Sequence, residues 1–166
     1  MIEMELTGVR VELPTNQPIV LLREREGERY LPIWIGAAEA AAIALSLQGV
    51  VTPRPMTHDL LKTILEDLTV QVRRIVVTEL RESTFFATIE LDRQGQELEV
   101  SSRPSDAIAL AVRAEAPIFA DDRVVEESAI EFEGEEVNEE EIVDEFRKFL
   151  DQVTPDEFAV EGEEDA

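Results

Sequence analysis

The stretch VQVRRIVVTELRESTFFATIELDRQGQELEVS, residues 70–101, decides the fold. Over 70–80 apolar residues alternate through Val70, Val72, Ile75 and Val77 with one slip of phase. Over 85–91 the inward candidates are Phe85, Ala87, Ile89 and Leu91, and over 97–101 they are Leu98 and Val100. A period of two places each set on one face of a strand. The intervening Arg-Glu-Ser and Arg-Gln-Gly read as hairpin turns. Three strands in an antiparallel meander exclude a purely parallel sheet.

Outward from this meander the pattern changes repeatedly. Ile2, Met4 and Leu6, then Val9 and Val11, predict an N-terminal strand with a bulge at Gly8. Ile19–Leu22 and Tyr30–Ile35 predict two more strands. Ala37–Leu47 predicts a helix closed by Gly49, apolar on nearly every side and so buried or covered by a partner. A second helix starts at Thr57 as N-cap and runs to about Leu68, with Leu60, Leu61, Ile64, Leu65 and Leu68 as its apolar stripe. A third runs from Pro104 or Ser105 to Ala114, and Pro117–Phe119 reads as an edge strand. The expected class is α+β, a mixed, largely antiparallel sheet packed with about three helices.

After Asp121 the composition turns acidic. Residues 121–166 hold 20 acids and 3 bases, and residues 1–120 hold 18 acids and 12 bases, within a net charge of -23. The expected organisation is one domain over 1–125 and an acidic extension over 126–166. In the extension, Asn138 caps a helix through Val153 with Ile142, Val143, Phe146, Phe149 and Leu150 as its inner face. Residues 154–166 read as a solvated, disordered tail. No basic face of the kind a strong nucleic-acid binder carries is visible. The chain has no cysteine, which excludes disulfides and thiolate–zinc sites. Its longest weakly polar run is too short to span a bilayer, and no signal-peptide pattern opens it. A cytoplasmic location is expected.

One phrase nearly repeats. RPMTHDLL (54–61) and RPSDAIAL (103–110) each lead from Arg-Pro into a hydroxyl residue, an acid and an apolar run. Arg54, Thr57, the sole histidine His58 and Asp59 thus gather at one expected helix start, and Arg103, Ser105 and Asp106 at another. Helix starts offer unpaired N–H groups and the positive end of a dipole, a combination suited to phosphate. The matching sets suggest that the two starts converge into one anion pocket. A structural account competes. Thr57 and Ser105 are ordinary N-caps, Asp59 and Asp106 ordinary first-turn acids, and Arg54 and Arg103 ion-pair partners of Asp106 and Asp59. Trp34 reads as core rather than as a base-stacking platform.

Four stretches, PIWIGAAEAAAIALSLQG (32–49), RPMTHDLLKTIL (54–65), TFFATIEL (84–91) and SSRPSDAIALAVRAEAPI (101–118), resemble the bifunctional nuclease domain family over about residues 1–125. The resemblance implies an α+β domain with nuclease activity on DNA and RNA. The family pattern has an acid two places before the second arginine, where this chain has Ser101.

Phosphodiester hydrolysis requires charge neutralisation, an activated water and a stabilised leaving oxygen. Arg54 and Arg103 suit the first, with Thr57, Ser105 and backbone N–H groups beside them. His58 is the obvious general acid or base. Asp59 and Asp106, with Glu39 as a third carboxylate, are the candidates to hold Mg2+ or Mn2+. The expected function is a metal-assisted nuclease acting on nucleic acid. The alternative is a non-catalytic anion- or partner-binding module in a homo-oligomer, with a regulatory acidic tail.

Overall fold

A computed structural model describes residues 1–12 and 15–131, the Glu12 side chain excepted. The helix expected over 138–153 and the tail over 154–166 lie outside the described residues. The chain begins with a meander of β1 (Ile2–Glu12), β2 (Gln17–Glu24) and β3 (Arg29–Trp34), then forms helices α1 (Ala37–Leu47) and α2 (Thr57–Asp67). The second meander is β4 (Val70–Arg81), β5 (Thr84–Arg93) and β6 (Gln96–Ser102). Helix α3 (Pro104–Ala114), strand β7 (Ile118–Ala120), helix α4 (Asp122–Ser128) and strand β8 (Ile130–Glu131) follow.

Local chemistry explains the turns. Glu82 and Ser83 link β4 to β5, and Gln94 and Gly95 link β5 to β6, all with positive φ. Two such residues in a two-residue loop make the primed turn that matches strand twist. The register of β1 on β2 slips between Leu6 and Gly8, where the bulge was expected. The phase slip in β4 appears as register shifts between Val72 and Arg74 and between Val77 and Glu79. Helix α1 ends in a Schellman motif. Gly49 takes φ +67°, its N–H donates to the Ser46 carbonyl and Val50 N–H donates to the Leu45 carbonyl.

The eight strands among the described residues join one sheet in the order β6-β5-β4-β7-β1-β2-β3-β8. The fold is α+β, and the sheet is mixed and largely antiparallel. β7 corrects one expectation, because it lies in the middle of the sheet and not at an edge. It pairs parallel with β4 and antiparallel with β1, and so joins the two meanders. Three apolar residues after a proline do not reveal how many neighbours a strand has. Helix α4, which the sequence did not suggest, buries Val124 and Val125 in the main core. β8 then pairs with β3, so the sheet extends to Glu131.

The core lies between one face of the sheet and α1, α3 and α4. Val20, Leu22, Leu31, Ile33, Ile75 and Val77 meet Ile43, Ile108 and Leu110 there. Ala40–Ala44 of α1 are all buried, which accounts for a helix apolar all round. Helix α2 sits more peripherally. Leu61 and Leu65 pack on the core, whereas Leu60, Ile64 and Leu68 are exposed. Only two of the five residues of its expected stripe pack on the core among the described residues. Trp34 also departs from expectation, being 49% exposed. It pairs with Ile19 across β2 and β3, so it points to the sheet face away from the helices, out of phase with buried Ile33.

Candidate functional site

Helices α1, α2 and α3 bring their N-terminal turns together. His58 in the first turn of α2 and Asp106 in the first turn of α3 meet at 2.9 Å, Nε2 to Oδ1. The two Arg-Pro phrases therefore do converge. His58 is buried, so its ring is fixed by packing as well as by the carboxylate. Arg103 clamps the other oxygen of Asp106, its Nε donating to Oδ2 at 2.9 Å. The same guanidinium donates to Glu39 Oε1 of α1 at 2.7 Å. Arg103 thus bridges α3 and α1, and Asp106 bridges α3 and α2. A Cβ at Gly36, just before α1, would lie 2.3 Å from Glu39 Oε2, so a larger residue there would push that carboxylate aside.

Electrostatics follows the contacts. Burial alone would push the Asp106 carboxyl up, but hydrogen bonds from His58 and Arg103 outweigh it and hold the carboxyl below its ordinary value. Asp106 is therefore a carboxylate at neutral pH. A carboxylate accepts, so Nε2 of His58 carries the donated proton, and Nδ1 is the ring nitrogen turned away from Asp106. The hydrogen bonds to Asp106 and Glu39 raise the Arg103 guanidinium above its ordinary value.

Asp59 belongs to a second cluster. Its Oδ1 accepts from Arg113 Nε at 2.6 Å, and its Oδ2 accepts the Met56 N–H at 3.0 Å. Arg113 also donates to the Ala109 and Ala42 carbonyls, each at 2.9 Å. This guanidinium ties α3 to α1 and α2 with its side chain only 7% exposed. Burial pushes the Asp59 carboxyl up, but the bonds from Arg113 and Met56 hold it below its ordinary value. Sequence reasoning missed Arg113. The available signal was an arginine among the apolar residues of α3, ten positions after Arg103.

The other expected roles divide. Thr57 and Ser105 cap neither helix. The N-caps are Met56 and Arg103, because Asp59 already satisfies the Met56 N–H and because Pro104 suits the first helical position. Thr57 is exposed and Ser105 buried. The cross pairing of Arg54 with Asp106 and of Arg103 with Asp59 does not occur, because each carboxylate finds an arginine on or against α3. Arg54 is exposed, and its guanidinium has no hydrogen-bond or ion-pair partner among the described residues. Asp59, Asp106 and Glu39 do not form one ligand set, and no three His, Asp or Glu side chains among the described residues are grouped to hold a metal ion. Asp106 and Glu39 do share Arg103. A groove of about 360 Å³ lies beside Asp59, Lys62, Thr63 and Arg113, and neither His58 nor Asp106 lines it. His58 and Asp106 are the candidate site, because a ring and a carboxylate in direct contact are chemically able to pass a proton.

Fold and site together define an α+β domain whose three helix N-termini present a histidine–carboxylate pair held by arginine. The chain belongs to the bifunctional nuclease domain family, whose model matches residues 20–133. It is 44% identical over 162 residues to a Mycobacterium tuberculosis protein named only as uncharacterized, covering 94% of this chain and 97% of that one. It is 30% identical over 105 residues to bifunctional nuclease 1 of Arabidopsis thaliana, covering 61% of this chain and 32% of the plant protein. Bifunctional nuclease 1 of Oryza sativa subsp. japonica is 29% identical over 112 residues, covering 66% and 34%. The chain spans about a third of the length of these plant relatives.

Proposed function

We propose that this chain hydrolyses phosphodiester bonds in DNA or RNA at the joined N-termini of α2 and α3. The supporting observation is the 2.9 Å contact between His58 and Asp106, with Asp106 held in turn by Arg103. Asp106 orients the ring through Nε2, and Nδ1 is the atom to take a proton from the attacking water and return it to the leaving oxygen. Arg54, exposed and without a partner among the described residues, neutralises the substrate phosphate. The outer edge of Arg103 and free N–H groups of the first helical turns assist it. Thr57, exposed in the same helical turn as His58, donates its hydroxyl to the phosphate.

Mg2+ or Mn2+ fits this donor set only in part. Asp106 and Glu39 would hold it together with phosphate oxygens only by giving up bonds to His58 and Arg103, and Asp59 is engaged by Arg113. When bound, the ion would lower the pKa of a coordinated water. We further propose that the protein is cytoplasmic and assembles with copies of itself. No helix among the described residues is long and apolar enough to cross a membrane.

A second reading is favoured by one observation. Arg103 and Arg113 are already paired with carboxylates, which suits a site that binds an anion through Arg54 without turning it over. A gel assay of wild type and Asp106→Asn on labelled DNA and RNA, with and without divalent metal, separates the two. Hydrolysis by wild type and its loss in Asp106→Asn supports the enzyme. Inert wild type that is still stabilised by phosphate supports the binding module and overturns the nuclease.

A further inference from the structure

The sheet face turned away from the helices carries an apolar patch that the core does not use. The registers set three rows across β1, β2 and β3: Arg10–Ile19–Trp34, Gly8–Leu21–Pro32 and Glu5–Arg23–Tyr30. Ile19 and Leu21 form a small buried cluster of their own, separate from the main core. Trp34 stands half exposed beside them. Arg10 and Arg23 are exposed and form no ion pair among the described residues. Apolar side chains flanked by two guanidiniums without an ion pair among the described residues suit a partner that is apolar on one side and acidic on the other.

We propose that this face is the dock for the chain's own C-terminal segment, residues 138–153. The sequence of that segment supplies both halves of the match. Ile142, Val143, Phe146, Phe149 and Leu150 recur at helical spacing, with Glu139, Glu140, Glu141, Asp144, Glu145 and Asp151 among them. Position supports it as well. The described chain ends in β8, beside Arg29 and Tyr30 of β3. From there Trp34 lies four to five residues along β3, roughly 15 Å away. The seven residues 132–138 span up to about 23–25 Å when extended, enough to turn back over the patch. A helix of sixteen residues would be about 24 Å long and would cover all three rows. A tether this short gives the segment an effective concentration that a free partner rarely reaches. This proposal does not depend on nuclease activity.

Trp34 is the only tryptophan, so its fluorescence reports the face directly in the full-length protein. Acrylamide quenching and the emission maximum are compared among wild type, Phe146→Asp with Phe149→Asp, and Arg10→Glu with Arg23→Glu. Thermal melting by circular dichroism confirms that each is folded. The proposal expects a shielded Trp34 in wild type, independent of protein concentration. In both variants it expects stronger quenching and a shift of emission to longer wavelength. Equal quenching in all three overturns it. Shielding that grows with concentration assigns the face to a second copy and overturns it. So does a single-stranded oligonucleotide that protects Trp34 equally in wild type and in the Phe146→Asp, Phe149→Asp variant.

Discussion

Replacing Arg113 by methionine should destabilise the domain by about 2–3 kcal/mol. The substitution keeps most of the apolar stem and removes only the guanidinium, which is nearly buried and donates to Asp59, Ala42 and Ala109. Breaking a fully buried ion pair costs about 3–5 kcal/mol, because the remaining charge is stranded. Asp59 is 38% exposed, so water partly re-solvates it and the cost falls to the bottom of that range or just below it. The two helical carbonyls lose a charged donor each but keep their helical environment, which adds little. For a chain of this size about 2–3 kcal/mol corresponds to a fall of roughly 5–10 °C in melting temperature. Urea unfolding of wild type, Arg113→Met, Asp59→Asn and the double variant gives the coupling between the two residues. The double variant should be less destabilised than the sum of the singles, because no charge is then left unpaired. A loss under about 0.5 kcal/mol for Arg113→Met would show that α1, α2 and α3 are held by apolar packing alone, and would refute the reasoning.

Three further outcomes are expected. Thr69 follows α2 at φ 60°, a conformation costly for a β-branched residue, so Thr69→Gly should raise stability by about 1 kcal/mol in the same unfolding assay. Asp59 and Asp106 both have folded-state values held below their ordinary 3.8. Their contribution is present above that value and is lost as pH falls through the lowered ones. Melting temperature should therefore drop below about pH 4, and less steeply in Asp106→Asn. Arg54 has no partner to lose among the described residues. Arg54→Ala should leave the melting temperature within about 1–2 °C of wild type, while its oligonucleotide affinity falls and the salt dependence of that affinity becomes shallower by about one phosphate contact.

The parts of this fold legible in the sequence are those governed by local rules. Alternation located β4, β5 and β6, the glycine at 49 closed α1, and a break of phase marked the bulge at Gly8. Pairing is not local. Nothing in Ile118–Ala120 says that β7 lies between β4 and β1, and nothing in Trp34 fixes which face it takes until its register on Ile19 is known. The site divides in the same way. The near-repeat of Arg-Pro phrases correctly led to two helix starts that meet. The partners within it depend on how the helices pack, so Asp59 turned to Arg113 and Arg103 turned to Glu39. Exposed Leu60, Ile64 and Leu68 show the converse limit, since an apolar stripe states what a helix can bury but not that this chain buries it.

The account rests on phosphate binding at the place where α2 and α3 begin. His58 is the sole histidine, so its ring protons give one resolved set of NMR signals at that place. Titration with a nuclease-resistant phosphorothioate oligonucleotide should shift those signals saturably in wild type and need more ligand in Arg54→Ala. Signals that stay unmoved while the oligonucleotide binds elsewhere, or does not bind at all, would contradict the account.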